Sequence, residues 1–115
     1  METTQVVAAL GALAQETRLA VYRLLVQRGP AGMPAGRIGE ELSIPPATLS
    51  FHLKTLEQAG LARSRQDGRF VIYSADFAAM TAVLGYLTEN CCGGNDCLPL
   101  PAACRPSKPK KETVR

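Results

Sequence analysis

The segment from about residue 34 to residue 59 constrains the fold most strongly, because a proline turn divides it into two short helical stripes. Ile44-Pro45 interrupts the first stripe, and Pro46 can open a second helix. Gly60 follows the second stripe, at the position where helices commonly end. The apolar residues recur at helical spacing: Ile38 and Leu42 before the turn, and Leu49, Leu53 and Leu56 after it. The pattern predicts two short helices joined by a tight turn.

Two further helical stripes precede this pair. The first contains Val6, Val7, Leu10, Leu13 and Ala14, and the second contains Leu19, Val21, Leu24 and Leu25. Gly29-Pro30 ends the second stripe, and the segment Gly29 to Gly36, rich in glycine and proline, is predicted to be a loop. Pro34 suits the first turn of the helix that follows.

A β-rich run and a last helix follow. Residues 61–66 and 69–74 flank Asp67-Gly68, a dipeptide that favours a two-residue type I′ hairpin turn. Asp76 can cap a helix whose apolar residues step by three, four and three, a heptad-like seam that Cys91 would continue. These residues are Phe77, Met80, Leu84 and Leu87. Such a narrow seam is expected where a helix packs against a partner helix.

The order of elements is that of a winged helix-turn-helix, a mainly α fold with a β-hairpin (α+β). We expect helices one to four, a two-stranded wing and a fifth helix in a single domain over residues 1–92. Residues 93–115 combine glycine, proline and basic residues and are predicted to form a flexible tail. No apolar run approaches the ~20 residues of a spanning helix, so we expect a cytoplasmic protein without membrane contact.

The net charge of +3 is unevenly distributed. Residues 1–60 balance five basic against five acidic residues, whereas Arg63, Arg65 and Arg69 oppose only Asp67 in the hairpin. This arrangement predicts phosphate contact by a basic hairpin tip rather than by a basic body.

The second helix of the pair carries polar groups that suit DNA. Thr48, Ser50, His52 and Lys54 are small or hydrogen-bonding, which lets a helix approach base edges and phosphates. A solvated helix face is the alternative interpretation. His52 is the only histidine in the chain, and packing or phosphate contact suits it better than metal ligation.

Residues 42–61, with Ser50-Phe-His-Leu-Lys-Thr-Leu and Ala59-Gly-Leu61 as the most specific part, resemble the recognition segment of the ArsR/SmtB metal-responsive repressors. Residues 16–25 and 69–74 are similar to that family's second helix and wing strand. The resemblance implies a homodimer that binds palindromic operator DNA and is released by an inducer, without enzymatic activity. It implies base reading by Ala47, Thr48, Ser50 and Phe51, and wing contacts by Gln66 and Arg69, beside Arg65.

Three cysteines, Cys91, Cys92 and Cys97, lie within seven residues. Trivalent arsenic and antimony prefer three thiolates, whereas structural zinc takes four tetrahedral ligands, usually from spaced pairs. Many arsenic sensors of the family carry Cys-Val-Cys on the third helix, and residues 33–37 here contain no cysteine. The three C-terminal thiols are therefore the predicted site for arsenite, with antimonite as an alternative inducer and no constitutive cofactor, and Cys104 receives no role.

Other interpretations of the thiols remain open. The pair Cys91-Cys92 alone would suit a methylated trivalent arsenical, and the set could bind other soft metals or sense oxidants through disulfides. A thiol carrier that retained a winged-helix body without binding DNA, or tail cysteines without function, are further possibilities.

Overall fold

The computed structural model describes residues 1–90 as five α-helices and a three-stranded antiparallel sheet. The helices are α1 (Thr3–Leu13), α2 (Glu16–Arg28), α3 (Ala35–Leu42), α4 (Pro46–Gln58) and α5 (Phe77–Leu87), and a 3-10 turn spans Gly29–Ala31. The strands are β1 (Met33–Pro34), β2 (Ala62–Asp67) and β3 (Phe70–Ala75), in the order β1-β3-β2. The predicted α+β winged helix-turn-helix fold is confirmed.

Side-chain hydrogen bonds cap the N-termini of α2 and α5. The Gln15 side chain accepts a hydrogen bond from the backbone N–H of Arg18 at α2, at 2.8 Å. Asp76 accepts one from Ala79 at α5, at 3.0 Å, which confirms the predicted cap. Between α3 and α4 the chain turns at Ser43, whose left-handed backbone (φ 56°, ψ 48°) ends α3 before Pro45 and Pro46 begin the next helix.

The wing is a hairpin, but its turn lies one residue later than predicted. Asp67 pairs with Phe70, so the loop residues are Gly68 and Arg69 rather than Asp67 and Gly68. Gly68 has φ +62°, and neither Asp67 nor Arg69 has a positive φ. A type I′ turn needs two positive φ angles, whereas a type II′ turn needs one, at its first position. The single glycine therefore selects the second geometry.

Strand β1 was not predicted, because its two residues lie inside the segment expected to be a loop. Met33 pairs with Tyr73 and Pro34 with Ile72 at the edge of the sheet. Two residues are too few to show a strand period, and the proline occupies an edge strand, where a missing N–H is tolerated. The strand joins the start of α3 to the wing.

The core lies between the helices and the base of the sheet. It contains the predicted apolar residues of α2 except Leu19, which is 42% exposed, together with Ile38 of α3 and the three predicted leucines of α4. Leu42 of α3 is partly buried against this core, and Leu61 and Val83 join it from the later elements. Its largest fully buried side chains are Val21, Leu25, Ile38, Leu53, Leu56, Leu61 and Val83. The Tyr22 phenol is buried near Asp76. Burial is the larger cause and the negative charge of Asp76 the smaller one, and together they raise the pKa of Tyr22 to about 12.

The first and last helices contact each other and leave apolar side chains uncovered. Thr3 Oγ1 and the Tyr86 hydroxyl form a hydrogen bond between α1 and α5. Val7 is 62% exposed and Leu87, the last residue of the predicted seam, is 54% exposed. Phe77 and Met80, the first residues of that seam, pack against the core of the same chain. The seam is therefore only partly free for a partner.

The predicted domain boundary after residue 92 and the proposed continuation of the seam to Cys91 lie outside the described residues. In residues 1–90, every helix is too short or too polar to cross a bilayer.

Candidate nucleic-acid interface

Helix α4 presents one row of side chains to the core and the opposite row to solvent. Leu49, Leu53 and Leu56 are buried at i, i+4 and i+7. The outward row follows the same spacing on the other side of the helix, where successive members lie one turn apart. It consists of Ala47, Phe51, Lys54 and Gln58, all of which are exposed.

The predicted base-reading residues lie on this outward face. Thr48 and Ser50 lie on either side of Ala47 around the helix, and all three are exposed. Phe51 and Lys54, also exposed, follow within two turns. The structure thus brings five of the predicted residues of α4 onto one accessible surface. Their contact with bases stays a prediction.

His52, the sixth predicted residue of α4, lies elsewhere. It is only 8% exposed, and its Nδ1 lies 3.4 Å from Nη1 of Arg18 on α2. Arg18 Nε also donates to the carbonyl of Ala12, at 2.7 Å, so the guanidinium joins the end of α1 to α4. This placement favours the packing alternative for His52 over contact with DNA. His52 lies between the inner and outward faces of α4, so its burial could not be predicted from helix periodicity. The packing of α2 against α4 decided it.

The buried contact with Arg18 makes His52 a determinant of stability at acidic pH. Burial lowers the pKa of His52 below its ordinary value of 6.5, and the positive charge of Arg18 acts in the same direction. The folded chain thus prefers neutral His52, whereas the unfolded chain binds a proton near pH 6.5. We expect stability to be lost as the pH falls from about 6.5 towards the lower pKa of the folded state.

The measurement is the midpoint of urea unfolding at several pH values from about 8 to about 5, for wild type and His52→Gln. Glutamine can accept the Arg18 hydrogen bond and does not titrate, so the variant should lose less stability on acidification than wild type does. Parallel pH profiles for the two proteins would contradict the expectation.

The wing carries the predicted residues Arg65, Gln66 and Arg69, which differ in their hydrogen bonds and in their place in the hairpin. Arg65 Nη2 donates to the carbonyl of Ala31 at 3.0 Å, and Gln66 Nε2 donates to Gly68 at 3.3 Å. Arg69 lies in the turn itself and is exposed. The ion pairs among residues 1–90 are Arg28–Glu41 and Arg37–Glu40. The wing arginines therefore form no ion pair within that range, which leaves their charges available to phosphate.

Two features of this surface were not predicted. Ser64 Oγ on β2 donates to Glu57 Oε2 on α4 at 2.8 Å, which links the wing to the C-terminal end of α4. Phe70, at the start of β3, is 61% exposed beside Arg69. The serine and glutamate are seven residues apart in different elements, so no local pattern could have indicated their contact.

The predicted metalloid ligands Cys91, Cys92 and Cys97 lie outside the described residues, as does Cys104. Within residues 1–90, no three histidine, cysteine or acidic side chains are grouped closely enough to hold a metal ion.

A short helix, a tight turn, a second helix exposed along one side and a β-hairpin tied to it together define a winged helix-turn-helix. A family model described as a helix-turn-helix domain matches residues 13–65. The chain is 43% identical over 58 residues to YceK, an HTH-type transcriptional regulator of Bacillus subtilis. The matched segment covers 50% of this chain and 57% of YceK. The chain is 36% identical over 62 residues to an HTH-type regulator of Methanocaldococcus jannaschii, covering 54% and 67%. The chain belongs to the helix-turn-helix transcriptional regulators.

Solved structures give the same fold. An ArsR-like transcriptional regulator from Rhodococcus sp. RHA1 has a TM-score of 0.66 at 26% identity, over 73% of this chain and 76% of that one. HlyU from Vibrio cholerae has a TM-score of 0.63 at 26% identity, over 80% and 99%. The homodimeric winged helix-turn-helix DNA-binding domain of Mb0332 from Mycobacterium bovis has 0.60 at 26%, over 76% and 81%. The resemblance to ArsR-type regulators is thus confirmed for the fold.

Proposed function

We propose that this protein is a homodimeric repressor that binds operator DNA and releases it when Cys91, Cys92 and Cys97 capture trivalent arsenic. The observation that carries the DNA-binding step is the outward row of α4, which lies opposite a fully buried row of leucines. A helix held in this way can enter the major groove without disturbing the core.

Positive charge lies where a bound duplex would need it. Lys54 is exposed in the C-terminal half of α4, and Arg63 and Arg69 are exposed on the wing. Cations of this kind neutralise phosphates and release counterions, so binding weakens as salt rises. The Ser64–Glu57 hydrogen bond holds the wing and α4 together, so the two sets of contacts would form in one register.

Dimerisation would use α1 and α5. Val7 and Leu10 on α1 and Leu87 on α5 are exposed apolar side chains, and burying such surface stabilises an interface. The structurally similar domain of Mb0332 is described as homodimeric. In a two-fold dimer, the two recognition helices must lie one helical turn of DNA apart, about 34 Å, to occupy successive major grooves.

The inducer step follows from the position of the thiols in the chain. Cys91 comes four residues after Leu87, the last residue of α5. Closing three sulfurs around arsenic or antimony would restrain the chain beyond α5 and reorder the end of this dimer helix. A change in the spacing of the recognition helices needs a preference of only a few kcal/mol to empty an operator.

The test is release of the full chain from a DNA fragment that carries its own promoter, titrated with arsenite. We expect arsenite to release wild type, and Cys91→Ser, Cys92→Ser and Cys97→Ser each to abolish release without loss of DNA binding. Cys104→Ser is the matched control and should release as wild type does. Fluorescence anisotropy of labelled DNA reports binding and release in one titration.

The same titration separates the alternatives. Release by a methylated trivalent arsenical that survives Cys97→Ser would identify Cys91 and Cys92 as a two-thiol site. Release by peroxide alone would indicate an oxidant sensor, and release by another soft metal alone would change the inducer. Failure of wild type to bind promoter DNA in a salt-dependent way would reject the repressor and favour a thiol carrier.

A further inference from the structure

We infer that Phe51 reads the 5-methyl group of thymine, so that each operator half-site places an A·T pair opposite the middle of α4. The inference rests on the proposed DNA binding and names the base that this helix selects. It is carried by an exposed aromatic ring at the centre of the surface that would face the bases.

Phe51 is held in this position by the packing of its own helix. It is 64% exposed, and it lies on the side of α4 opposite the buried Leu49, Leu53 and Leu56. The helix cannot rotate to bury the ring without exposing those leucines, each of which stabilises the fold by about 2 kcal/mol through burial. The ring therefore stays on the surface of the free protein and loses contact with water only when a partner covers it.

In the described part of the chain, the Phe51 ring has one aromatic neighbour, the imidazole of His52. Its centroid lies 5.7 Å from that of the buried His52 ring, with 59° between the two planes. Thr55 Oγ1 donates to the carbonyl of Phe51 at 3.0 Å, which occupies that oxygen within the helix. The ring thus has the neighbouring imidazole on one side and solvent on the other.

The chemistry of the outward row divides along α4. Ala47 and Phe51, nearer the N-terminus, are apolar, whereas Lys54 and Gln58, nearer the C-terminus, are polar. The N-terminal residues of a recognition helix contact base edges. A phenyl ring offers no hydrogen bond to guanine, cytosine or phosphate, and the thymine methyl is the apolar group that the major groove presents. Phe51 therefore suits thymine and leaves phosphate contact to Lys54.

The test compares two forms of one duplex, the promoter sequence that the full chain protects from nuclease. One form carries thymine and the other carries uracil, which lacks only the 5-methyl group. Wild type should bind the uracil duplex more weakly by about fourfold for each methyl group that Phe51 covers, the value of burying one such group. Phe51→Ala should bind the thymine duplex more weakly than wild type and lose less affinity on uracil than wild type does.

Lys54→Ala is the matched control on the same outward row. It should weaken binding to both duplexes and keep the preference for thymine. The slope of affinity against salt concentration should fall by about one phosphate contact per protomer. Equal affinity of wild type for the two duplexes, or an undiminished thymine preference in Phe51→Ala, would overturn the inference while the proposed repressor stands. Absence of any salt-dependent binding would overturn both.

Discussion

Gly32→Ala is expected to destabilise the folded chain by about 2–5 kcal/mol, a large part of the stability of a domain this size. Gly32 has φ +72° and ψ −165°, a backbone conformation that is essentially reserved for glycine. A Cβ atom there would also overlap the carbonyl oxygen of Tyr73 and lie 3.0 Å from its carbonyl carbon. Because both atoms belong to the backbone of β3, no side-chain rotation can relieve the overlap.

Gly29→Ala is the matched control for this prediction. Gly29 has φ +78° and ψ −166°, almost the same angles, but a Cβ there would meet nothing within 4 Å. It should therefore show the backbone strain alone, about 1–3 kcal/mol. Urea unfolding of the two variants separates the strain from the overlap. Equal losses would show that the close approach of Gly32 to β3 does not limit stability.

Leu56→Ala is expected to cost about 2–5 kcal/mol, because it leaves a cavity at the centre of the core. Leu56 is 0% exposed on the inner row of α4, in the cluster that also contains Leu53 and Leu61. The comparison is Phe51→Ala on the outward row of the same helix, which should change stability by only about 0.5 kcal/mol. Guanidinium unfolding of both variants measures the difference.

The contrast between these two substitutions tests the orientation of α4 directly. Leu56→Ala should lose DNA binding only as far as the protein unfolds, whereas Phe51→Ala should lose affinity while it remains folded. A Phe51→Ala variant as unstable as Leu56→Ala would show that the ring packs inside the protein. In that case the outward row could not be the surface that reads DNA.

All five α-helices could be predicted because their signals are local. The spacing of Leu49, Leu53 and Leu56 defines one face of α4, and the opposite face follows from helix geometry without knowledge of the rest of the fold. Asp76 caps α5 through a bond to Ala79, three residues away, which again needs no distant partner. The four predicted base-reading residues and Lys54 could be placed on the exposed face of α4 for the same reason.

The remainder of the site depends on contacts between residues far apart in sequence. Strand β1 exists because Met33 and Pro34 lie beside β3, about 40 residues later, and its two residues carry no period. The hydrogen bond from Arg65 to the carbonyl of Ala31 likewise joins two positions that no local sequence pattern relates. The turn of the wing lies one residue later than predicted. The reason is that a positive φ costs less free energy at Gly68 than at Asp67.

The amino-acid sequence by itself determined the number and order of the α-helices, the presence of a hairpin and the outward face of α4, since these follow from short-range periodicity and capping. Only the tertiary structure decided that His52 is buried against Arg18 and that the wing is tied to α4 by Ser64 and Glu57. The physical reason is that burial and hydrogen bonding of a side chain depend on which distant element covers it. Periodicity within one helix does not contain that information.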